Sequence, residues 1–239
     1  MAALLGWALA GLPAFGSPRA SLGILIDHLG PSVRHATDMV AVVNFDARGI
    51  DTLAEEFILL AAATGVAELL RRARGEESGP AVDQRSEFGP DPGSEALRRV
   101  GPALVGFTVL LGLYIVAHGH LSPGGGFQGG VVLASAVILV YLVARYADLR
   151  RAAPLPAFEL AEAAGAAGFV VVGLAALAGG SAFLANVLPL GTAGQLPSAG
   201  TIPVLNLAVG VEVAGGITVV VAEFLEQTIV LRQRVRGRR

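Results

Sequence analysis

The chain contains no cysteine and, among its 17 basic residues, no lysine. The first absence excludes a disulfide scaffold, a thiolate nucleophile and any cysteine-ligated zinc or iron–sulfur centre. The second, beside the heavy load of alanine and glycine, reflects base composition more than special chemistry. Charge is scarce as well: 15% of the 239 residues are charged, against about 25% in an ordinary soluble domain. What takes its place is apolar. Hydrophobic residues make up 54% of the chain, the mean hydropathy is +0.66, and no Asp, Glu or Arg interrupts the 45 residues between Arg99 and Arg145 or the 49 between Glu162 and Glu212. One helical span needs about 20 residues, so each gap is long enough for two crossings or nearly so. Disorder and collagen are excluded by the apolar content and by the lack of a glycine period.

The reading is an all-α integral membrane protein of about six transmembrane helices, two followed by four, near residues 2–16, 53–70, 100–118, 127–145, 161–179 and 203–225. The third and fourth are joined by HGHLSPGGGFQGG, whose Pro123 and Gly124 to Gly126 cannot continue a helix and force a hairpin turn. The second carries Glu55, Glu56 and Glu68, and spans only if these sit near headgroups or face protein. For the first, a cleaved signal sequence is the rival reading. Segments 71–99, 145–151 and 232–239 hold fourteen of the 17 arginines, leaving Arg19, Arg34 and Arg48 on the other side. That bias predicts both termini in the cytoplasm. Composition divides the chain into a two-span module (1–70), a flexible polar linker (71–98) rich in Pro, Gly and mixed charge, a four-span module (99–231) and a basic tail (232–239).

Glu212 is the sharpest chemical signal. It lies nine residues into the last span, roughly 13 Å from its outer end and near the bilayer midplane. A carboxylate facing lipid there costs several kcal/mol or more, so it must meet protein, water or a proton. Its neighbours three and four positions away are Ala208, Val209, Gly215 and Gly216, a largely small face open to close helix approach. A proton or cation relay and a hydrogen bond across a helix interface both fit. Asn206 suits interhelical hydrogen bonding, and Glu223 and Glu226 suit a solvated inner face. In the hairpin turn, His118 and His120 can change charge near neutral pH and exchange protons. With no cysteine or carboxylate nearby they do not make a metal site. Gly126 with Gly130, and Gly125 with Gly129, have the four-residue spacing that lets helices dock closely.

Upstream, NFDARGIDTLAEEF places Asp46, Arg48, Asp51, Glu55 and Glu56 at the mouth of the second span. Arg48 is set to pair with Asp46 or Asp51, and Asp51 or Thr52 to cap the helix. The preceding VRHATDMVAVVNF is expected along the membrane surface. No hydrolytic triad, paired-carboxylate cleft or nucleotide fingerprint is present, and no cofactor is called for. The arginine tail fits an orientation signal and anionic lipid better than nucleic acid.

Taken together, HGHLSPGGGFQGG and IPVLNLAVGVEVAGGITVVVAEFLEQ resemble the MnhB subunit of the multisubunit Mrp (Mnh) sodium/proton antiporters over about residues 97–231, with His120, Pro123, the triple glycine and Phe127 in the family's order. VVNFDARGIDTLAEEF resembles the carboxy-terminal part of the MnhA subunit of the same antiporters, and the equivalent small hydrogenase subunits, through Asp46, Arg48, Gly49, Asp51, Thr52 and Glu55. The resemblance implies a non-catalytic subunit of a bacterial or archaeal cell-membrane complex that exchanges Na+ for H+. Its partners would be the other antiporter subunits, including the large complex I-like ones, and membrane lipid. The ion-path candidates are then Glu55 and His120, which match the family's motifs, Glu212, from the residue reading as well as the similar last helix, and His118, from the chemistry of the turn; Arg48, Asp51, Pro123, Gly124, Gly125, Gly126, Phe127, Gly129 and Gly130 are the structural motif. A membrane-arm subunit of a hydrogenase or complex I-like redox pump is the alternative.

Overall fold

The computed structural model describes residues 2–12, 21–70, 95–143, 151 and 154–237. Most of the expected linker, residues 13–16 of the first expected span, and many of the arginines behind the orientation reading lie outside the described residues. Among the described residues there is no strand. The helices are α1 (Ala2–Ala10), α2 (Ser21–Leu29), α3 (Met39–Val42), α4 (Gly49–Leu70), α5 (Glu95–Ala117), α6 (Gly126–Val143), α7 (Leu155–Ala178) and α8 (Ile202–Gly237). Two π-helical turns, Gly30–Arg34 and Val43–Ala47, flank α3.

Four of these are long and apolar enough to cross a membrane, over Arg99–Ala117, Gly126–Val143, Leu155–Ala178 and Ile202–Gln227. α4 has the length, 22 residues, but three glutamates fall within its last 18. α1 has nine residues. The boundaries shift in two informative ways. α7 begins at Leu155 rather than near 161, because Pro154 stands at its N-cap and Pro156 fits the first turn, where a missing N–H costs nothing. That brings Glu159 inside the helix, one turn before Glu162, which the expected span already held. α8 runs past residue 225 into the tail as far as Gly237, since no glycine or proline interrupts it after Gly216.

α8 is the central column. In its crossing stretch 56% of residues are buried, against 17–33% in the other three, and α4, α6 and α7 all pack on it. Glycine makes these approaches possible. A Cβ on Gly130 would lie 2.7 Å from Val213 Cβ and 2.9 Å from the Gly210 carbonyl on α8. About 100° round α6, a Cβ on Gly129 would lie 2.9 Å from the Gly112 carbonyl and the Val116 amide of α5. Consecutive glycines at one helix start thus serve two neighbours, and small residues hold the bundle together by close van der Waals contact.

In the segment before α4, residues 33–45, several apolar side chains turn into the bundle while Val33 and Val40 stay exposed. Ala36, Ala41, Val42 and Phe45 join Phe169, Leu184, Ile202 and Leu205 in one core cluster, and Phe45 meets Phe169 ring to ring at 6.2 Å. The reason is the repeated break in helix geometry: His35 at φ 54° and the two π turns rotate the apolar residues to one side. Asp38 caps α3, accepting from the Val40 amide at 3.1 Å. α4 starts at Gly49, earlier than a cap at Asp51 or Thr52 requires. The Thr52 hydroxyl instead donates to the Asn44 carbonyl at 2.7 Å, pinning α4 to the preceding turn.

Candidate functional site

The turn between α5 and α6 is built around Asn206. Gly124 (φ 152°) and Gly125 (φ 128°) adopt conformations that side chains rarely allow, and the turn delivers the Gly126 amide to Asn206 Oδ1 at 2.8 Å. An amide at the start of α6, which has no partner within its own helix, is thereby satisfied from α8. A Cβ on Gly126 would sit 2.6 Å from Val209 Cβ and 2.9 Å from the Gly210 amide. Asn206 of α8 thus bonds to the start of α6, which packs closely on the same turn of α8.

The same turn is strapped to the segment ahead of α4. The His120 carbonyl accepts from the Thr37 and Asp38 amides at 3.0 and 3.2 Å, and the Thr37 hydroxyl donates to the Leu121 carbonyl at 2.6 Å. The two histidines point to different places. His118 stacks on Tyr114 with ring centroids 4.0 Å apart. His120 is fully buried, beside the backbone of Gln195 and Leu196, with neither ring nitrogen closing a hydrogen bond of good geometry. Burial pushes its pKa below the ordinary histidine value, outweighing those backbone contacts. Pro123 and Phe127 lie on the outer surface of the turn.

A half-open pocket of about 440 Å³ lies between this turn and the start of α4. Gly124 to Gln128 form one wall, Thr52, Glu55 and Glu56 another, with Asn206 and Val209 at the back. It joins residues singled out separately in the sequence. Arg48 and Asp51 pair with each other at 2.5 Å on the exposed side. Asp46 does not take Arg48 as partner; it pairs with Arg34 at 2.6 Å.

Of the adjacent glutamates at the pocket, Glu55 is exposed and Glu56 is 1% exposed. Behind Glu56 lies Glu212, with no exposure at all, and its carboxyl neighbours that of Glu56. Neither Glu212 oxygen finds a hydrogen-bond partner of good geometry in the protein, and Glu56 Oε2 finds none. Glu162 of α7 is the third buried glutamate among the described residues, 3% exposed, with Oε1 unpartnered. The helices cross here on reciprocal glycines. A Cβ on Gly165 of α7 would lie 2.6 Å from Glu212 Cβ and amide, and one on Gly216 of α8 would lie 2.8 Å from Glu162 Oε1. Among the described residues no group of three His, Asp or Glu converges to hold a metal ion.

Sequence reasoning named Glu56 only as a glutamate that must sit near headgroups or face protein and Glu162 only as the edge of a charge-free run, and put neither forward as an ion-path candidate. The available signal was the company each keeps on its helix face: Thr52, Ala63 and Ala67 with Glu56, and Gly165, Ala166, Phe169 and Gly173 with Glu162, all buried.

Comparison with known proteins bears on the whole arrangement. Residues 96–219 match the family described as a domain related to the MnhB subunit of Na+/H+ antiporter. An uncharacterised protein of Methanocaldococcus jannaschii is 36% identical over 120 residues, covering 46% of this chain and 44% of its own. A Staphylococcus aureus protein named as antiporter subunit mnhB2 is 36% identical over 59 residues, 25% of this chain and 42% of its own. The matched stretch thus spans less than half of either relative. Among solved structures, a chain of the membrane-bound sulfane sulfur reductase (MBS), an archaeal respiratory membrane complex, superposes with a TM-score of 0.74 at 32% identity, covering 94% of this chain and 93% of that one. A chain of the Mrp complex from Dietzia sp. DQ12-45-1b superposes with a TM-score of 0.70 at 26% identity, covering 93% of this chain and 24% of that one. The turn held by Asn206 and the glycine-docked helices α5 to α8 fall within the matched family region, and the chain belongs to the family of domains related to the MnhB subunit of Na+/H+ antiporters.

Proposed function

We propose that the chain is a membrane subunit of a multisubunit Na+/H+ antiporter, assembling with the other subunits, the large complex I-like ones included, and lining part of the ion route. One observation carries this reading: a family member matched nearly end to end within a chain of an Mrp complex holds buried, unpartnered carboxyls beside an accessible pocket. Burying adjacent negative charges in a bilayer is prohibitive, so such groups persist where a proton or cation visits them. In this reading residues 1–70 are an MnhA-like module, 71–98 a cytoplasmic linker, 99–231 the MnhB-like module and 232–239 a basic tail. α4 and the first segment would add two spans to the four apolar ones, with both termini in the cytoplasm of a bacterial or archaeal cell. Glu56 facing α8 instead of lipid supports α4 as a span. The chain serves transport and is not an enzyme. Glu212→Gln should lower cation-driven proton movement in membranes holding the assembled complex by tenfold or more, read with a pH-sensitive dye. Normal flux in a fully assembled Glu212→Gln complex would remove the ion-route role.

A second reading has its own support. The match to the sulfane sulfur reductase chain is nearly complete in both directions, which favours a membrane-arm subunit of a redox-driven ion pump. Purification of the native complex decides: antiporter subunits alone favour the first reading, and co-purifying redox subunits favour the second.

A further inference from the structure

The pocket between the hairpin turn and α4 carries a charge that this chain does not balance. The two arginines described ahead of α4 are already committed, Arg34 to Asp46 at 2.6 Å and Arg48 to Asp51 at 2.5 Å. Glu55 and Glu56 both line the pocket, and no basic side chain among the described residues pairs with either. The chain has no lysine to do so. Glu55 is exposed at the mouth; Glu56 is 1% exposed, deeper in, and its Oε2 has no hydrogen-bond partner.

The other walls narrow the choice of occupant. Val40 and Phe127 line the pocket and stand 57% and 47% exposed, which gives it apolar rims on two sides. Asn44 and Gln128, also exposed, add amide groups near the mouth. The volume of about 440 Å³ is more than ten times the share of one water, about 30 Å³. Among the described residues no three acidic or histidine groups converge on a bare metal ion. An apolar rim leading to a carboxyl pair suits a long side chain that lays its methylene stem on apolar surface and carries its charge at the tip.

We propose that this pocket is the docking site for a basic side chain, arginine or lysine, from a neighbouring subunit of the complex. Its stem lies against Val40 and Phe127, and its cationic head meets Glu55, with Glu56 behind. The proposal rests on the membrane-subunit reading above and names the chemistry by which one partner is recognised. Such a pair fixes the register of two subunits and rejects a neighbour without the cation, because a charge buried at an interface and left unpaired is strongly destabilising.

The absence of cysteine from the chain supplies the test. In the native complex, Glu55→Cys gives this subunit a single thiol, which is loaded with a short thiol-reactive diazirine and illuminated. Mass spectrometry should find the attached peptide in another subunit, with an arginine or lysine within one helical turn of the attachment point. Attachment only to lipid, only to this chain, or to a segment of a neighbour without a basic residue overturns the proposal. Charge exchange follows: Glu55→Arg should lower the amount of this subunit that co-purifies with the complex by at least fivefold, and replacing the identified basic residue by glutamate should restore it. Normal co-purification of Glu55→Arg, or no restoration, overturns the proposal. Should Glu55→Arg fail to fold, Gln128→Cys on the facing wall decides by the same labelling: it should capture the same basic segment, and a different segment overturns the proposal. A native complex that contains no other membrane subunit refutes the membrane-subunit reading instead, so the two failures are distinguishable.

Discussion

Gly126→Ala isolates the packing on which the turn depends. The added Cβ would lie 2.6 Å from Val209 Cβ and 2.9 Å from the Gly210 amide, and it would also strike the Asn206 carbonyl. Two of these are backbone atoms of the most buried helix, so relief comes only by moving the start of α6 outward by about 1 Å. Overpacking of this kind costs about 1–3 kcal/mol. The shift also stretches the 2.8 Å bond from the Gly126 amide to Asn206 Oδ1, which in a membrane protein is worth about 0.6–1.7 kcal/mol. The expected loss is therefore about 2–4 kcal/mol. Gly106→Ala on α5 is the control, because a Cβ there meets nothing within 4 Å, and replacing a mid-helix glycine by alanine gains up to about 1 kcal/mol. The assay is SDS titration of the chain in mixed micelles, followed by circular dichroism and by cleavage in the 118–125 turn. Equal midpoints for the two variants would refute the argument that the turn glycines are dictated by helix approach.

The remaining predictions follow from single contacts. Asn206→Ala leaves the Gly126 amide without its acceptor and should cost about 1–2 kcal/mol in the same titration; Asn206→Asp, which keeps the acceptor, should recover more of this at mildly acidic than at neutral pH, and equal midpoints for Ala and Asp would count against the bond. His120 has its pKa held below the ordinary value by burial, so the unfolded chain binds a proton that the folded chain refuses. Stability should be full above the unfolded histidine value of about 6.5 and fall as pH drops below it. His120→Asn should flatten that part of the stability–pH curve, and an unchanged slope would refute the assignment.

The four apolar helices were legible because long gaps between charges leave no other way to satisfy a backbone in an apolar run. Their ends were less so. α7 reached back to Leu155 because prolines suit the first turn, and α8 reached on to Gly237 because nothing in its sequence stops it. The segment before α4 was illegible for a different reason. A left-handed residue at His35 and two π turns leave no fixed period, so which of its apolar residues enter the core could not be read from spacing.

Glu212 stood out because a single carboxyl in a long apolar run must meet protein, water or a proton. Glu56 and Glu162 did not, because each has another glutamate close by, Glu55 and Glu159, and paired charges near a helix start suggest an interface with water. The distinction between Glu55 and Glu56 is a rotation of about 100° around α4, and that rotation is fixed by what the helix packs on. Thr52, Ala63 and Ala67 share a face with Glu56 and are small enough to bring α4 close to α8; Glu55 is turned to the pocket mouth. Small-residue stripes therefore locate the buried member of an acidic pair in a membrane helix. The same rule picks Glu162, whose face continues through Gly165, Ala166, Phe169 and Gly173, over Glu159. A carboxyl on such a stripe is held away from lipid and against a neighbouring helix, as Glu162 is against Gly215 and Gly216 of α8.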